Sequence, residues 1–302
     1  MAFAALCLST LTCAPDWGDD PALIVAPRIV AIEMDPPEAA PGAAVSFTAV
    51  VATPGGPAEL PVRWSFCRSP KPLAENGAVD QACVTPEPPT MGADAPTFKA
   101  TIPQDACRLF GPETPPRTGN GPPARPRDPD ATGGYYQPVI AAGVGKAAVA
   151  SLRIACNLGS APLDVAMEFR RRYRANKTPR LEEITAVVDG RPTPLDAIPP
   201  GRPAELVARW SPDTAEHYVA FDPATQALVE RRESIRVSWF VTEGSVEHPH
   251  VGRGEDESED SVSTIWRPRP GTGAGGRVYV WSVVRDSRGG VSGSARELLL
   301  GK

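Results

Sequence analysis

Arg277-Val278-Tyr279-Val280-Trp281-Ser282-Val283-Val284-Arg285, followed by Asp286-Ser287-Arg288-Gly289-Gly290, is the stretch that decides the fold. Val278, Val280, Ser282 and Val284 alternate with Tyr279, Trp281 and Val283, the period of two that a strand imposes on its side chains. The Asp-x-x-Gly-Gly run reads as a tight turn. Val291 to Leu300 is therefore expected to pair back as the last strand of a hairpin.

Moving outward, the chain states the same β unit twice. Pro27-Arg28 opens an alternating stretch, then come Pro41-Gly42, Val45 to Val50, and Val62 to Phe66 with Trp64 at its centre. Later Pro179-Arg180, Pro200-Gly201, Glu205 to Trp210, and Val237 to Val241 with Trp239 follow in the same order. The gaps differ, as they do when two copies acquire separate loop insertions. Val45, Phe47 and Ala49 share one face while Ser46 and Thr48 share the other, the mark of a half-buried antiparallel strand. Thr97 to Ile102, Tyr135 to Ile140, Val149 to Cys156, Ile184 to Val188 and Ser261 to Trp266 read as further strands. Gly143 to Lys146 reads as a hairpin turn and not a phosphate loop, because Ala147 stands where Ser or Thr is required. Ser211 to Arg232 reads as an insertion in the second copy.

The run Val237-Ser238-Trp239-Phe240, together with Val278 to Gly290, resembles bacterial immunoglobulin-like or PKD-type sandwich domains. The resemblance covers about 120 residues at the C-terminus and, more weakly, the first half. It implies an all-β fold of two Ig-like antiparallel β-sandwich domains, each closed around a tryptophan. It implies little about function, since this fold hosts many. The expected organisation is a signal segment at 1–13, a tether at 14–26 and a first sandwich at 27–158. A connector helix at 159–177 and a second sandwich at 178–302 complete it. Ser160 is the expected helix cap, with Val165, Phe169 and Tyr173 on one face and Arg170, Arg171, Arg172 and Arg174 toward the C-terminal end. The basic cluster is a candidate contact for an anionic glycan or lipid head group. Residues 111–134, rich in proline and arginine, form an insertion that can build neither ladder nor helix.

The composition sets bounds. The chain has 302 residues, 36 of them proline, so many short strands and turns are expected. Its net charge of −5 argues against nucleic acid as a partner. Ala2 to Leu11 is apolar or small, too short to span a bilayer and of the length of a secretory signal core. The stretch ending at Cys13 resembles a bacterial lipoprotein signal, although Thr10 and Thr12 stand where that family has Leu and a small residue. No basic residue precedes the apolar run. The resemblance implies lipidation of Cys13 and, since Ala14 and Pro15 follow it, an outer-membrane location. Ordinary secretion and a plain apolar tail are the alternatives.

Cys67, Cys83, Cys107 and Cys156 lie beyond the signal. Four cysteines allow three pairings. Cys67–Cys83, closing a Pro/Asn/Gly-rich loop, and Cys107–Cys156, closing over the proline-rich insertion, are favoured. No C-x-x-C pair exists, which disfavours zinc. His248-Pro249-His250 lacks a third ligand. Glu255 to Asp260 is a contiguous acidic run without the spacing of a calcium loop, and its charges are expected to repel and keep it extended. No catalytic residue, cofactor or metal site is expected. The expected function is a non-catalytic exported envelope or surface protein, contacting an envelope protein or surface glycan through the 111–134 and 245–260 loops. A carbohydrate-binding module is the alternative, its mark being exposure of Trp281 together with Tyr279. An enzyme with a site at the domain junction is the third reading, its mark a cleft with a buried acid pair.

Overall fold

The structure, a computed structural model, describes residues 20–70, 79–84, 94–112, 134–158 and 161–301. Cys13 and the rest of the signal segment, Ser160, and all but the margins of the 111–134 insertion lie outside the described residues. The first half comprises β1 (Arg28–Asp35), β2 (Glu38–Ala39), β3 (Ala44–Thr53), β4 (Gly56–Ala58), β5 (Arg63–Phe66) and β6 (Thr97–Thr101). The short helix α1 (Ala106–Phe110), β7 (Gly134–Ala142) and β8 (Ala148–Ala155) follow. The helix α2 (Leu163–Arg172) then leads into the second half. That half begins with β9 (Leu181–Val188), β10 (Arg191–Thr193), β11 (Ala204–Trp210), β12 (His217–Asp222) and β13 (Ala227–Arg232). It ends with β14 (Ile235–Val241), β15 (Ser245–Val246), β16 (His250–Arg253), β17 (Ser261–Arg267), β18 (Arg277–Asp286) and β19 (Val291–Leu299).

Each half is a sandwich, and the fold is all-β as expected. In the first, the sheet β1-β3-β4, with β6 also on β3, faces the sheet β2-β8-β7-β5. In the second, β10-β9-β11-β17-β15 faces β16-β14-β18-β19. One pairing departs from antiparallel order: β2 runs parallel to β8, Glu38 opposite Arg153. A parallel bridge from Ile198 to Leu300 does the same in the second half.

The cores follow the alternation. Val45, Phe47, Ala49 and Val51 join Trp64, Val139 and Leu152 in the first core. Trp210, Trp239 and Trp266 join Leu206, Val237, Val278 and Val280 in the second. Trp281 and Val283, on the opposite face of β18, do not meet solvent. Trp281 and Val283 pack with Val30, Ala31 and Ala52 of the first half in a separate cluster, with Val50 and Tyr279 at its margin. A bulge in β1 between Ile29 and Ala31 turns the consecutive residues Val30 and Ala31 toward this layer. The outer face of one sandwich thus covers the outer face of the other, and four sheets stack as one body. Gly293 sits where the halves approach closely, since a Cβ there would lie 3.0 Å from a Val50 methyl.

Two sequence expectations are corrected and a third takes a definite form. The stretch read as a tether is, from Asp20 on, docked in the second half. Ala22 and Ile24 are buried, Ile24 N–H donates to the Val241 carbonyl at 2.7 Å, and Val241 N–H donates to that of Ala22 at 2.9 Å. Two apolar side chains with an unfilled backbone edge beside them explain the docking. The helix is shorter than 159–177, because the residues after Arg172 run extended and bury Asn176. The 211–232 insertion is the hairpin β12–β13, paired from His217 with Arg232 to Asp222 with Ala227.

Candidate functional site

The polar interior of the molecule converges where the two halves and the segment after α2 meet. Arg288, in the turn after β18, is 1% exposed. Its Nε donates to Glu233 Oε1 at 2.5 Å, its Nη2 to Glu216 Oε2 at 2.9 Å and its Nη1 to the Arg174 carbonyl at 2.8 Å. The guanidinium lies 4.7 Å from the Tyr218 ring centre, within cation–π range. The Asp-x-x-Gly turn supplies this geometry. Asp286 accepts from the N–H groups of Arg288 and Gly290, both at 2.8 Å, and from the Asn176 side chain. Gly290 is required there, since a Cβ would fall 2.1 Å from Asp286 Oδ2.

The same network reaches the first half. Tyr173 Oη donates to Glu38 Oε2 at 2.8 Å, and Asn176 N–H donates to that oxygen at 2.9 Å. Glu38 also pairs with Arg153 at 3.3 Å, both side chains buried. Phe169 holds the Tyr173 ring by stacking, with centroids 4.8 Å apart. Glu38 and Arg153 of the first sandwich, Tyr173 and Asn176 of the connector, and Glu233, Asp286 and Arg288 of the second form one continuous hub.

Burial dominates its electrostatics. Loss of solvent, reinforced by the nearby negative charge of Asp286, pushes the Glu233 carboxyl up to about 7, despite the pull of Arg288. Burial also raises Asp286, against the bonds it accepts from Gly290, Asn176 and Arg288. Tyr173 is pushed up to about 12, chiefly by burial. Desolvation opposes the charge on Arg288, but Glu233 and Tyr173 hold its pKa above the ordinary value. A carboxyl near 7 beside a second acid is a pattern seen in acid–base sites. Here Glu233 is 1% exposed, and no substrate atom meets it unless the junction opens. A nearby cleft of about 440 Å³ is lined from both halves by Glu33, Asp35, Ser46, Arg180 and Ser294, among others, and does not include the hub acids.

The residues singled out from sequence fall elsewhere. Cys67–Cys83 and Cys107–Cys156 are disulfides, the favoured pairing. The first packs against Ile140, and the second ties α1 to the end of β8. His248 and His250 do not converge on a metal: His250 Nδ1 lies 3.0 Å from Ser238 Oγ, while His248 N–H donates to Thr264 Oγ1. No group of three or more His, Cys, Asp or Glu side chains is arranged for a metal among the described residues. The acidic run is not a set of repelling free charges. Arg231 clamps Glu255 through two bonds of 2.9 and 2.7 Å, and Arg253 pairs with Glu257 at 3.2 Å. The 245–260 segment itself contains β15 and β16. Trp281 is 0% exposed and lies 6.2 Å from Tyr279, whose ring packs over Gly56 of the first half. The exposed aromatic pair that would mark a glycan platform is absent at this place.

Sequence reading missed the hub. Glu38 sits in a proline-rich turn, Glu216 lies within and Glu233 just after a segment read as an insertion, and Arg288 looks like a turn residue. The one signal was the Asp286-to-Gly290 motif, which fixes the Arg288 backbone.

No family model matches the chain, and no curated protein matches it. Among solved structures, the adhesin InvE of Yersinia pseudotuberculosis is similar at 9% identity and a TM-score of 0.21, with 90% of this chain and 62% of the adhesin covered. The secreted serine protease VesC from Vibrio cholerae is similar at 11% identity and a TM-score of 0.17, with 93% and 53% covered. The chain therefore spans less than two thirds of either protein. Likeness at these TM-scores says nothing about what the chain does.

Proposed function

We propose that the chain is a non-catalytic exported envelope or surface protein, held to a membrane by lipid at Cys13, that presents loops to an envelope protein or surface glycan. The observation that carries this reading is the fusion of both sandwiches into one body, joined by an apolar layer and by connector side chains that bridge ion pairs buried in each half. Such an arrangement suits a rigid scaffold, where recognition falls to loops. Two disulfides fit an oxidising compartment outside the cytosol. The sealing of Glu233 and Asp286 supports a structural role for the acid pair over a catalytic one. Membrane fractionation of the wild type against Cys13→Ala tests the anchor. The wild type is expected in the membrane fraction and the variant in the soluble fraction. Identical soluble partitioning of both would sink the anchor.

A further inference from the structure

We propose that the outer stripe of α2, formed by Leu163, Met167, Arg170 and Arg171 and continued by Arg174, docks on an anionic lipid surface. At about 100° per residue the four helical positions share an arc of roughly 100°, and Val165 and Phe169 occupy the opposite side. That opposite side is already used, with Phe169 buried and stacked on Tyr173. The outer stripe is not. Leu163 is 77% exposed and Met167 61%. Only four large apolar residues are exposed among the described residues, and these two stand one turn apart.

The flanking charges decide the occupant. Arg172 is neutralised by Glu168 and Glu230 on the side of the helix. Arg170 contacts only the neutral Asn157 side chain at 2.8 Å, and Arg174 contacts only main-chain carbonyls. Neither has a carboxylate partner among the described residues, and the one carboxylate near Arg171 is Glu168 at 3.9 Å. Two protruding apolar tips beside unneutralised guanidinium groups form a convex ridge. A flat, deformable, anionic surface fits it: the tips enter the acyl boundary while the guanidinium groups take phosphate oxygens. A nucleic acid offers phosphates but no apolar layer, and the net charge of −5 opposes it.

The test uses the full chain carrying Cys13→Ala, so that no acyl chain contributes and its outcome is separate from that of the anchor. Co-sedimentation is measured with phosphatidylcholine vesicles and with vesicles containing phosphatidylglycerol. Binding is expected only to the anionic vesicles, with release in about 0.5 M salt. Leu163→Asp with Met167→Asp, and separately Arg170→Glu with Arg171→Glu, are each expected to weaken it roughly tenfold or more. These side chains are exposed, so unchanged thermal unfolding verifies that the variants fold. Absence of binding to anionic vesicles, equal binding to neutral ones, or variants that bind like the parent would each overturn the proposal.

Discussion

Glu233 concentrates the physics of the junction in one side chain. Its carboxyl, normally near 4.5, stands at about 7 in the folded chain because burial and Asp286 disfavour its ionised form. Below the unfolded value the group is protonated in both states, and its full contribution is present. As pH rises through the folded value the buried carboxyl ionises, and that contribution is lost. Asp286 is shifted in the same direction, by burial first. Exposed acids such as Glu255 and Glu257 are lowered by their arginine and backbone partners and act at lower pH. Resistance to urea is therefore expected to rise as pH falls from about 7.5 to 5.5, by up to roughly 2 kcal/mol from Glu233. Glu233→Gln is expected to lower stability overall, since it weakens the buried pair with Arg288, and to flatten this slope. An unchanged slope in the variant would show that another group sets the dependence.

At the scale of elements, β18 shows what alternation reveals and what it conceals. Its period of two places Val278, Val280 and Val284 in the second core, and this was legible from the residues alone. The opposite row, Tyr279, Trp281 and Val283, carries the same pattern whether it faces solvent, a glycan or another sheet. Only the covering residues decide, and they lie more than 200 positions away at Val30, Ala31 and Ala52. The same limit hid the docking of Ala22 and Ile24. β2, β4, β10 and β15 are too short to show a period and exist through their partners' register. The disulfides were legible because loop closure is local. The hub was not, because its charges come from turns scattered over both halves. Trp281→Ala is expected to cost about 3–5 kcal/mol. It is also expected to speed amide hydrogen exchange at the β1 and β3 residues facing it more than within the sheet β10-β9-β11-β17-β15. Uniform acceleration across all four sheets would assign Trp281 to general stability and not to the junction.

At the scale of the whole molecule, three independent connections join the halves. One is the apolar layer around Trp281, one is the hub around Arg288, and one is the N-terminal segment. Interfaces between domains of one chain ordinarily allow relative motion, being small and polar. This one has an apolar centre, and Tyr173 and Asn176 of the connector bridge a buried ion pair of the first half to the buried polar groups of the second. Separating the halves would expose Trp281 and leave Glu38 without the Tyr173 and Asn176 donors that share it with Arg153. A buried carboxylate that loses its hydrogen-bond donors costs about 1–3 kcal/mol or more, a large part of the stability of one sandwich. Neither half is then expected to unfold while the other stays native. Calorimetry with the disulfides intact is expected to show one transition with equal calorimetric and van't Hoff enthalpies. Urea denaturation followed by near-ultraviolet and far-ultraviolet circular dichroism is expected to give coincident curves. Two resolved transitions would mean that the sandwiches are separable and that the four-sheet stack is not the cooperative unit.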